Sequence, residues 1–257
     1  MEQTKSIEAP IGENSRNKAE GFEYPEIEEL REPIQEIIKQ LRSKIEKGEY
    51  GYVVGDDASG RIPALIVSSF LKKVYEEKGL GSPKTFFFAT GRSNTTDVND
   101  WKLAEIAKSV EDFFETNPDN NRNNKVLLVS EYIATGQSLG IICDALKKEK
   151  IAYDIATVSS AFPDDVEDTQ DRLGATIYDG VYSSLPSVYS NLPSVYSKKY
   201  ISGVQKDKNE KRIFSHRAAI IVSQQQEKIN LARKDVALLS EQIFKWYKNL
   251  PPAESST

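Results

Sequence analysis

The sequence contains a single cysteine, Cys143, and a single histidine, His216. One cysteine excludes an internal disulfide, and this pair alone leaves too few soft ligands for a zinc site. No run approaches the ~18 consecutive apolar residues of a membrane-spanning helix, and the polar start lacks the apolar core of a secretory signal. We therefore expect a cytoplasmic protein with no membrane partner, in which Cys143 is a small core residue.

Basic residues are also fewer than acidic ones. Against 39 acidic residues there are 34 Lys and Arg, which gives a net charge of −5 over 257 residues. A protein that binds nucleic acid irrespective of sequence needs a basic face, so the composition argues against such a partner. The 39% of hydrophobic residues suffices for one sizeable domain with polar appendages.

Apolar segments of strand length alternate with helical periodicity from residue 25 onward. Residues 1–24 are polar and aperiodic, and we predict a disordered lead there. Because strands that alternate with helices form βαβ units, we predict that 25–182 is one α/β domain. Its architecture would be an open, mainly parallel sheet flanked by helices, with an N-terminal helix included. The predicted strands cover 52–55, 85–89, 126–129, 153–160 and 174–178.

The last part of the chain has a different character. Residues 183–214 are rich in Ser, Tyr and Pro and contain Leu-Pro-Ser-Val-Tyr-Ser twice, too few copies for a solenoid. We predict a loop there, followed by a helical arm over 215–250 that has His216 at its start. Apolar residues along the arm recur at three- and four-residue spacing. The arm either packs on its own domain or forms the seam of a homodimer.

The run 126–139 is the most informative stretch of the chain. Four apolar residues predict a buried strand, Glu131 follows just past its end, and a tight turn at Gly136 opens an apolar-periodic helix. Such a turn directs backbone N–H groups and the positive end of a helix dipole at one point, which suits a phosphate. Glu131 could accept hydrogen bonds from sugar hydroxyls. The run predicts a site for a phosphorylated ribose, or else an ordinary strand–turn–helix.

A second loop of the same kind follows the first predicted strand. It contains Gly60, which permits close backbone approach to an anion, and Arg61, whose planar guanidinium matches phosphate oxygens. Ligands of open parallel sheets bind beyond the carboxyl ends of the strands, so the two loops can face one ligand. The alternative is a surface turn in which Arg61 makes a salt bridge.

The run 126–139 resembles the signature of the type I phosphoribosyltransferase family, in which four apolar residues precede two acids and a Thr-Gly turn. It departs from that pattern where Ser130 replaces the first acid, where Gln137 replaces a common Gly, and where Ser138 replaces a frequent Thr. The loop 57–61 is similar to the Asp-Ser-Gly-Arg of the amidophosphoribosyltransferase branch.

This resemblance implies an enzyme that binds phosphoribosyl pyrophosphate with Mg²⁺. It would transfer ribose 5-phosphate to a nitrogenous base or a related nucleophile and release pyrophosphate. The metal would have no direct protein ligand, although Glu131 could reach it through water. Glu131 and Arg92, the latter on a mobile hood at 91–97, would be catalytic. The ribose 5-phosphate would be held by Ser130, Glu131, Ala134, Thr135, Gly136, Gln137 and Ser138. The pyrophosphate would be held by Asp57, Ala58, Ser59, Gly60 and Arg61. The acceptor would stack on Tyr178 and Tyr182.

Ser130 keeps a second function open. A serine donates one hydrogen bond, but it cannot match an ionised acid in polarising a hydroxyl. Since a fold does not fix a function, the alternative is a non-catalytic module that senses phosphoribosyl pyrophosphate and regulates or binds a partner. No base-reading pattern in the sequence identifies the acceptor.

Overall fold

The computed structural model describes residues 21–56, 60–88, 96–116, 125–133, 136–161, 166–183, 204–205, 216–217 and 223–251. The helices are α1 (Pro25–Glu28), α2 (Arg31–Glu46), α3 (Arg61–Glu77), α4 (Thr96–Thr116), α5 (Gln137–Lys148), α6 (Val166–Leu173) and α7 (Ser223–Lys248). The strands are β1 (Tyr50–Asp56), β2 (Lys84–Phe88), β3 (Lys125–Ile133), β4 (Tyr153–Ala161), β5 (Ile177–Ser183), β6 (Val204–Gln205) and β7 (His216–Arg217).

Five of the strands form one parallel sheet in the order β2-β1-β3-β4-β5. The chain passes from β1 outward to β2 and then crosses to β3 on the other side of β1. The strand order therefore reverses between β1 and β3, which is the topological switch point of a doubly wound sheet. The predicted open, parallel α/β sheet flanked by helices is confirmed.

The two faces of the sheet carry separate apolar cores. One face packs with α2, α3 and α7, and the other packs with α4, α5 and α6. Central strands buried on both faces need near-continuous apolar runs, as Val126–Val129 supplies. Cys143 lies buried in the second core, where burial raises the pKa of its thiol to about 12.

Two predicted strand boundaries were wrong. Strand β3 continues through Ser130 and Glu131 to Ile133, because β4 remains paired with it to that point. The last strand begins at Ile177 instead of residue 174, since α6, which the sequence did not predict, ends just before Gly174. Gly174 has a φ of 70° there, a conformation that favours glycine after a helix.

The C-terminal helix begins at Ser223 instead of residue 215. His216 lies in the short strand β7, paired antiparallel with Gln205 of β6, and so does not start the helix. The apolar stripe of α7 is buried in the core against α3, which is the own-domain alternative. The stripe consists of Ile229, Ala232, Val236, Leu239 and Ile243. The duplicated segment at 185–197 lies outside the described residues, and none of the described helices is long and apolar enough to cross a membrane.

Helix α7 also anchors the beginning of the described chain. Phe22 and Tyr24 are buried, so the prediction of a disordered lead is wrong for residues 21–24. The carboxylate of Asp235 accepts hydrogen bonds from the backbone N–H of Glu23 at 3.0 Å and of Tyr24 at 2.7 Å. This buried carboxylate satisfies donors just before α1, whose N-terminus has no side-chain cap of its own.

We expect Asp235→Ala to lower the free energy of unfolding by about 3 kcal/mol, because two backbone donors would lose their partner. Urea unfolding followed by tryptophan fluorescence measures this loss. Lys234→Ala, at an exposed neighbouring position, is the control and should change stability by less than ~0.5 kcal/mol. Equal effects of the two substitutions would show that the Asp235 contacts do not hold the chain.

Candidate functional site

The strands that lead into the two predicted loops are neighbours at the switch point. Strand β1 ends at Asp56 and leads into α3, and β3 ends at Ile133 and leads into α5. Gly55 of β1 pairs with Val129 of β3, so the carboxyl ends of the two strands lie side by side. The two helices cover opposite faces of the sheet, and both N-termini point toward this edge.

Gly60 sits where no side chain can fit. A Cβ on this residue would lie 2.4 Å from the carbonyl oxygen of Val129 and 2.8 Å from that of Asp56. Its N–H donates to the Asp56 carbonyl at 2.7 Å, which closes the loop tightly. The backbone at the start of α3 is therefore in direct contact with β3.

Arg61 follows Gly60 but stacks on an aromatic ring. Its guanidinium carbon lies 4.1 Å from the centre of the Phe87 ring. That ring also covers Gly55, where a Cβ would lie 2.7 Å from Phe87 Cδ1. Stacking of this kind holds the planar guanidinium over the face of the ring.

Ser130 and Glu131 are consecutive buried residues near the end of β3. Side chains alternate along a strand, and Leu128 packs in the core of α5, so Ser130 belongs to the α5 face. Ser130 is fully buried, and its hydroxyl donates to the Tyr132 carbonyl at 3.3 Å. Glu131 is also buried, and it is the acidic residue that follows Ser130 along the strand.

A row of polar residues crosses the sheet at the level of Ser130. Ser130 pairs with Thr157 of β4, and Thr157 pairs with Asp179 of β5. The Thr157 hydroxyl donates to the Ser159 carbonyl at 2.8 Å, and the Ser159 hydroxyl donates to the Glu131 carbonyl at 3.4 Å. These hydroxyls bond to strand backbone, so they make the carboxyl half of the sheet polar at modest cost.

Gly136 begins α5 in the left-handed conformation, with a φ of 66°. A side chain here would be strained, and a Cβ would lie 3.2 Å from Arg172 Nη2 on α6. Gly140 donates to the Gly136 carbonyl at 2.8 Å, the first bond of the helix. The N–H groups of the first turn have no acceptor within the helix, and the guanidinium of Arg172 adds positive charge beside them.

The structure describes the positions of some predicted site residues and not of others. It brings Gly60, Arg61, Ser130, Glu131 and Gly136 to the switch point. Gln137 and Ser138 are described only as the first residues of α5, and Tyr182 only as backbone of β5. The predicted residues outside the described chain are Asp57, Ala58, Ser59, Arg92, Ala134 and Thr135.

Tyr178 does not join the site. Its ring packs on the α2 face of β5, 5.0 Å from the Lys44 ammonium. Lys44 in turn bonds to Asp154, the second residue of β4 and so at the opposite, amino edge of the sheet. Tyr178 therefore acts as a packing residue of that cluster.

The sequence alone did not indicate two residues of the candidate site, Arg172 and Phe87. Arg172 belongs to no motif, because only the packing of α6 against α5 brings its guanidinium to Gly136. Phe87 is one of three consecutive phenylalanines in a predicted buried strand. Its role as the platform for Arg61 follows from the pairing of β2 with β1.

No protein-family model matches the chain, and no curated protein matches it. Among solved structures, the chain is similar to a hypothetical protein from Neisseria gonorrhoeae with bound ppGpp, at 17% identity and a TM-score of 0.34. The match covers 62% of this chain and 90% of that one. At this TM-score the likeness carries no argument about ligand or activity.

Proposed function

We propose that the protein binds phosphoribosyl pyrophosphate at the switch point between β1 and β3 and transfers ribose 5-phosphate to a nitrogenous base or related nucleophile. One observation carries this proposal. Two helices that follow neighbouring strands begin at the carboxyl edge of the sheet with a glycine: Gly60, where the backbone leaves no room for a Cβ, and Gly136, whose φ of 66° disfavours any side chain. Such helix N-termini present backbone N–H groups to anions, and a donor with phosphates at both ends needs two of them.

The roles divide between the two loops. The turn at Gly136 and the first residues of α5 would bind the 5-phosphate, with Arg172 adding charge beside them. Gly60 and Arg61 would bind the pyrophosphate, and Glu131 would accept hydrogen bonds from a ribose hydroxyl. Transfer of this kind needs positioning and a clamp on the leaving group more than it needs covalent help from the protein.

Magnesium would bind together with the pyrophosphate group of the donor. No group of three or more His, Cys, Asp or Glu among the described residues could hold a metal ion. A Mg²⁺ that keeps waters and phosphate oxygens needs at most one or two carboxylates from the protein. Glu131 would supply that carboxylate through a bridging water.

We expect Glu131→Gln to abolish pyrophosphate release while donor binding persists, because the amide keeps the shape of the side chain but loses its charge. Calorimetry with phosphoribosyl pyrophosphate and Mg²⁺ measures binding, and a coupled pyrophosphate assay over a panel of bases measures turnover. Glu111→Gln, at an exposed position on α4, is the matched control. Absence of donor binding by the unaltered protein would refute the proposed function.

A donor sensor is the second candidate, and the position of Ser130 favours it. The Ser130 hydroxyl is buried and donates a hydrogen bond to the Tyr132 carbonyl. The residue that stands in place of the first acid therefore bonds to the backbone of β3. A sensor would bind the donor and show no pyrophosphate release with any base. A cytoplasmic location and a homodimer through α7 remain predictions, and the apolar stripe of α7 is already used within its own domain.

A further inference from the structure

The half-buried ring of Phe87 lies at the carboxyl edge of the sheet, the edge at which open parallel sheets bind ligands. Phe87 pairs with Gly55, and each of the two is one residue from the end of its strand. A Cβ on Gly55 would lie 2.7 Å from Phe87 Cδ1 and 3.1 Å from the Cβ of Ala64 on α3. The ring therefore occupies, beside the first turn of α3, the space that a side chain at position 55 would need.

The ring restricts the side chain of Arg61, the first residue of α3. The guanidinium carbon lies 4.1 Å from the centre of the Phe87 ring, and the ring face attracts the cation. An arginine side chain has many rotamers, so fixing it when a ligand binds costs conformational entropy. A guanidinium that already rests on a ring loses less of this entropy, and an anion that bonds to it binds more tightly.

The effect of the ring should be confined to one end of the donor. Phe87 and Arg61 belong to the β1–β2 side of the switch point, whereas Gly136 follows β3. Ribose 5-phosphate and phosphoribosyl pyrophosphate share the 5-phosphate, and only the second carries a pyrophosphate group. A planar guanidinium can bond to two oxygens of such a group at once, so its orientation affects the affinity for pyrophosphate and not for the 5-phosphate.

We propose that Phe87 is a positioning residue, which holds the Arg61 guanidinium ready for pyrophosphate and so helps the site to prefer the pyrophosphate donor over ribose 5-phosphate. The inference rests on the proposed function. Phe87 would touch no substrate atom and would act only through Arg61. Gly55 is part of the same arrangement, because any larger residue there would displace the ring.

Calorimetry with two probes, inorganic pyrophosphate with Mg²⁺ and ribose 5-phosphate, tests the proposal. We expect Phe87→Leu to weaken pyrophosphate binding by about fivefold and to leave ribose 5-phosphate binding unchanged. Phe87→Tyr keeps the ring and should keep the affinity for pyrophosphate. Arg61→Ala should also weaken pyrophosphate binding, and adding Phe87→Leu to it should cause no further loss, because the ring acts through the guanidinium.

Phe86→Leu is the matched control. Phe86 is half-buried on the same strand, but its ring packs in the other core, 4.3 Å from the Phe113 ring, so this variant should bind both probes like the unaltered protein.

The two probes separate the outcomes. Three results would overturn the role of Phe87 alone: unchanged pyrophosphate binding by Phe87→Leu, an equal loss for both probes, or a further loss when Phe87→Leu is added to Arg61→Ala. Binding of ribose 5-phosphate without binding of pyrophosphate by the unaltered protein would overturn the assignment of Arg61 to pyrophosphate. Failure of the unaltered protein to bind either probe would overturn the proposed function as well.

Discussion

Asp154→Asn should lower the free energy of unfolding by about 3 kcal/mol, because it leaves two lysines without the carboxylate they share. Asp154 is buried, and its Oδ2 accepts hydrogen bonds from Lys44 and Lys125 at 2.8 Å and from the Tyr50 hydroxyl at 2.7 Å. These partners come from α2, β3 and β1, so one carboxylate joins four elements at the amino edge of the sheet.

The loss should depend on pH in a defined direction. Burial acts to raise the pKa of Asp154, but the hydrogen bonds from Lys125, Lys44 and Tyr50 outweigh it and hold the pKa below its usual value. The stabilisation is therefore complete above the unfolded-state pKa of about 3.9 and disappears as the pH falls through the folded-state value. Urea unfolding at neutral and acidic pH should show the difference between protein and variant shrinking below about pH 4.

Asp144→Asn provides the comparison for this experiment. Asp144 forms an exposed pair with Lys147 at 3.5 Å, and such pairs contribute little, about 0–1 kcal/mol. A loss at Asp154 no larger than that at Asp144 would show that the buried cluster adds nothing beyond an ordinary surface pair.

Gly60→Ala should weaken binding of phosphoribosyl pyrophosphate by at least about tenfold and destabilise the fold by about 2 kcal/mol. The new methyl group would lie 2.4 Å from the Val129 carbonyl and 2.9 Å from the Asp56 nitrogen. Both contacts are to backbone, so no side-chain rotation can relieve them. The start of α3 must move away from β3, which would displace Gly60 and Arg61 from the proposed donor site.

Gly140→Ala is the matched control for the glycine prediction. A Cβ there would lie 4.0 Å from Leu173 Cδ2, an ordinary contact. Alanine in place of glycine inside a helix stabilises by up to about 1 kcal/mol. Calorimetry and urea unfolding of both variants separate a local packing effect from a general one. Unchanged donor binding by Gly60→Ala would contradict the view that the two loops act together.

The sequence predicted the boundary of β3 poorly for a physical reason. The apolar run ends at Val129, and the polar residues that follow resemble a loop. Backbone pairing with β4 nevertheless continues, and Thr157 and Ser159 on that strand are polar as well. Their hydroxyls bond to strand carbonyls, so polarity alone did not end the strand.

The spacing of the apolar residues in the sequence determined the fold class of this protein. Strands of buried residues alternating with helical periodicity fixed a parallel α/β sheet, and the glycines at 60 and 136 marked the two loops where the chain turns from strand to helix. Those are local properties, because a strand, a turn and a helix start are each specified by residues close together in the chain.

Only the tertiary structure decided how these pieces meet. The strand order placed β1 next to β3, so that the strands that lead into the two loops became neighbours at a switch point. Packing of α6 brought Arg172 to Gly136, and packing of α7 on α3 used the stripe that could have formed a dimer seam. Contacts between residues far apart in sequence depend on the summed burial of whole faces, which no single motif encodes.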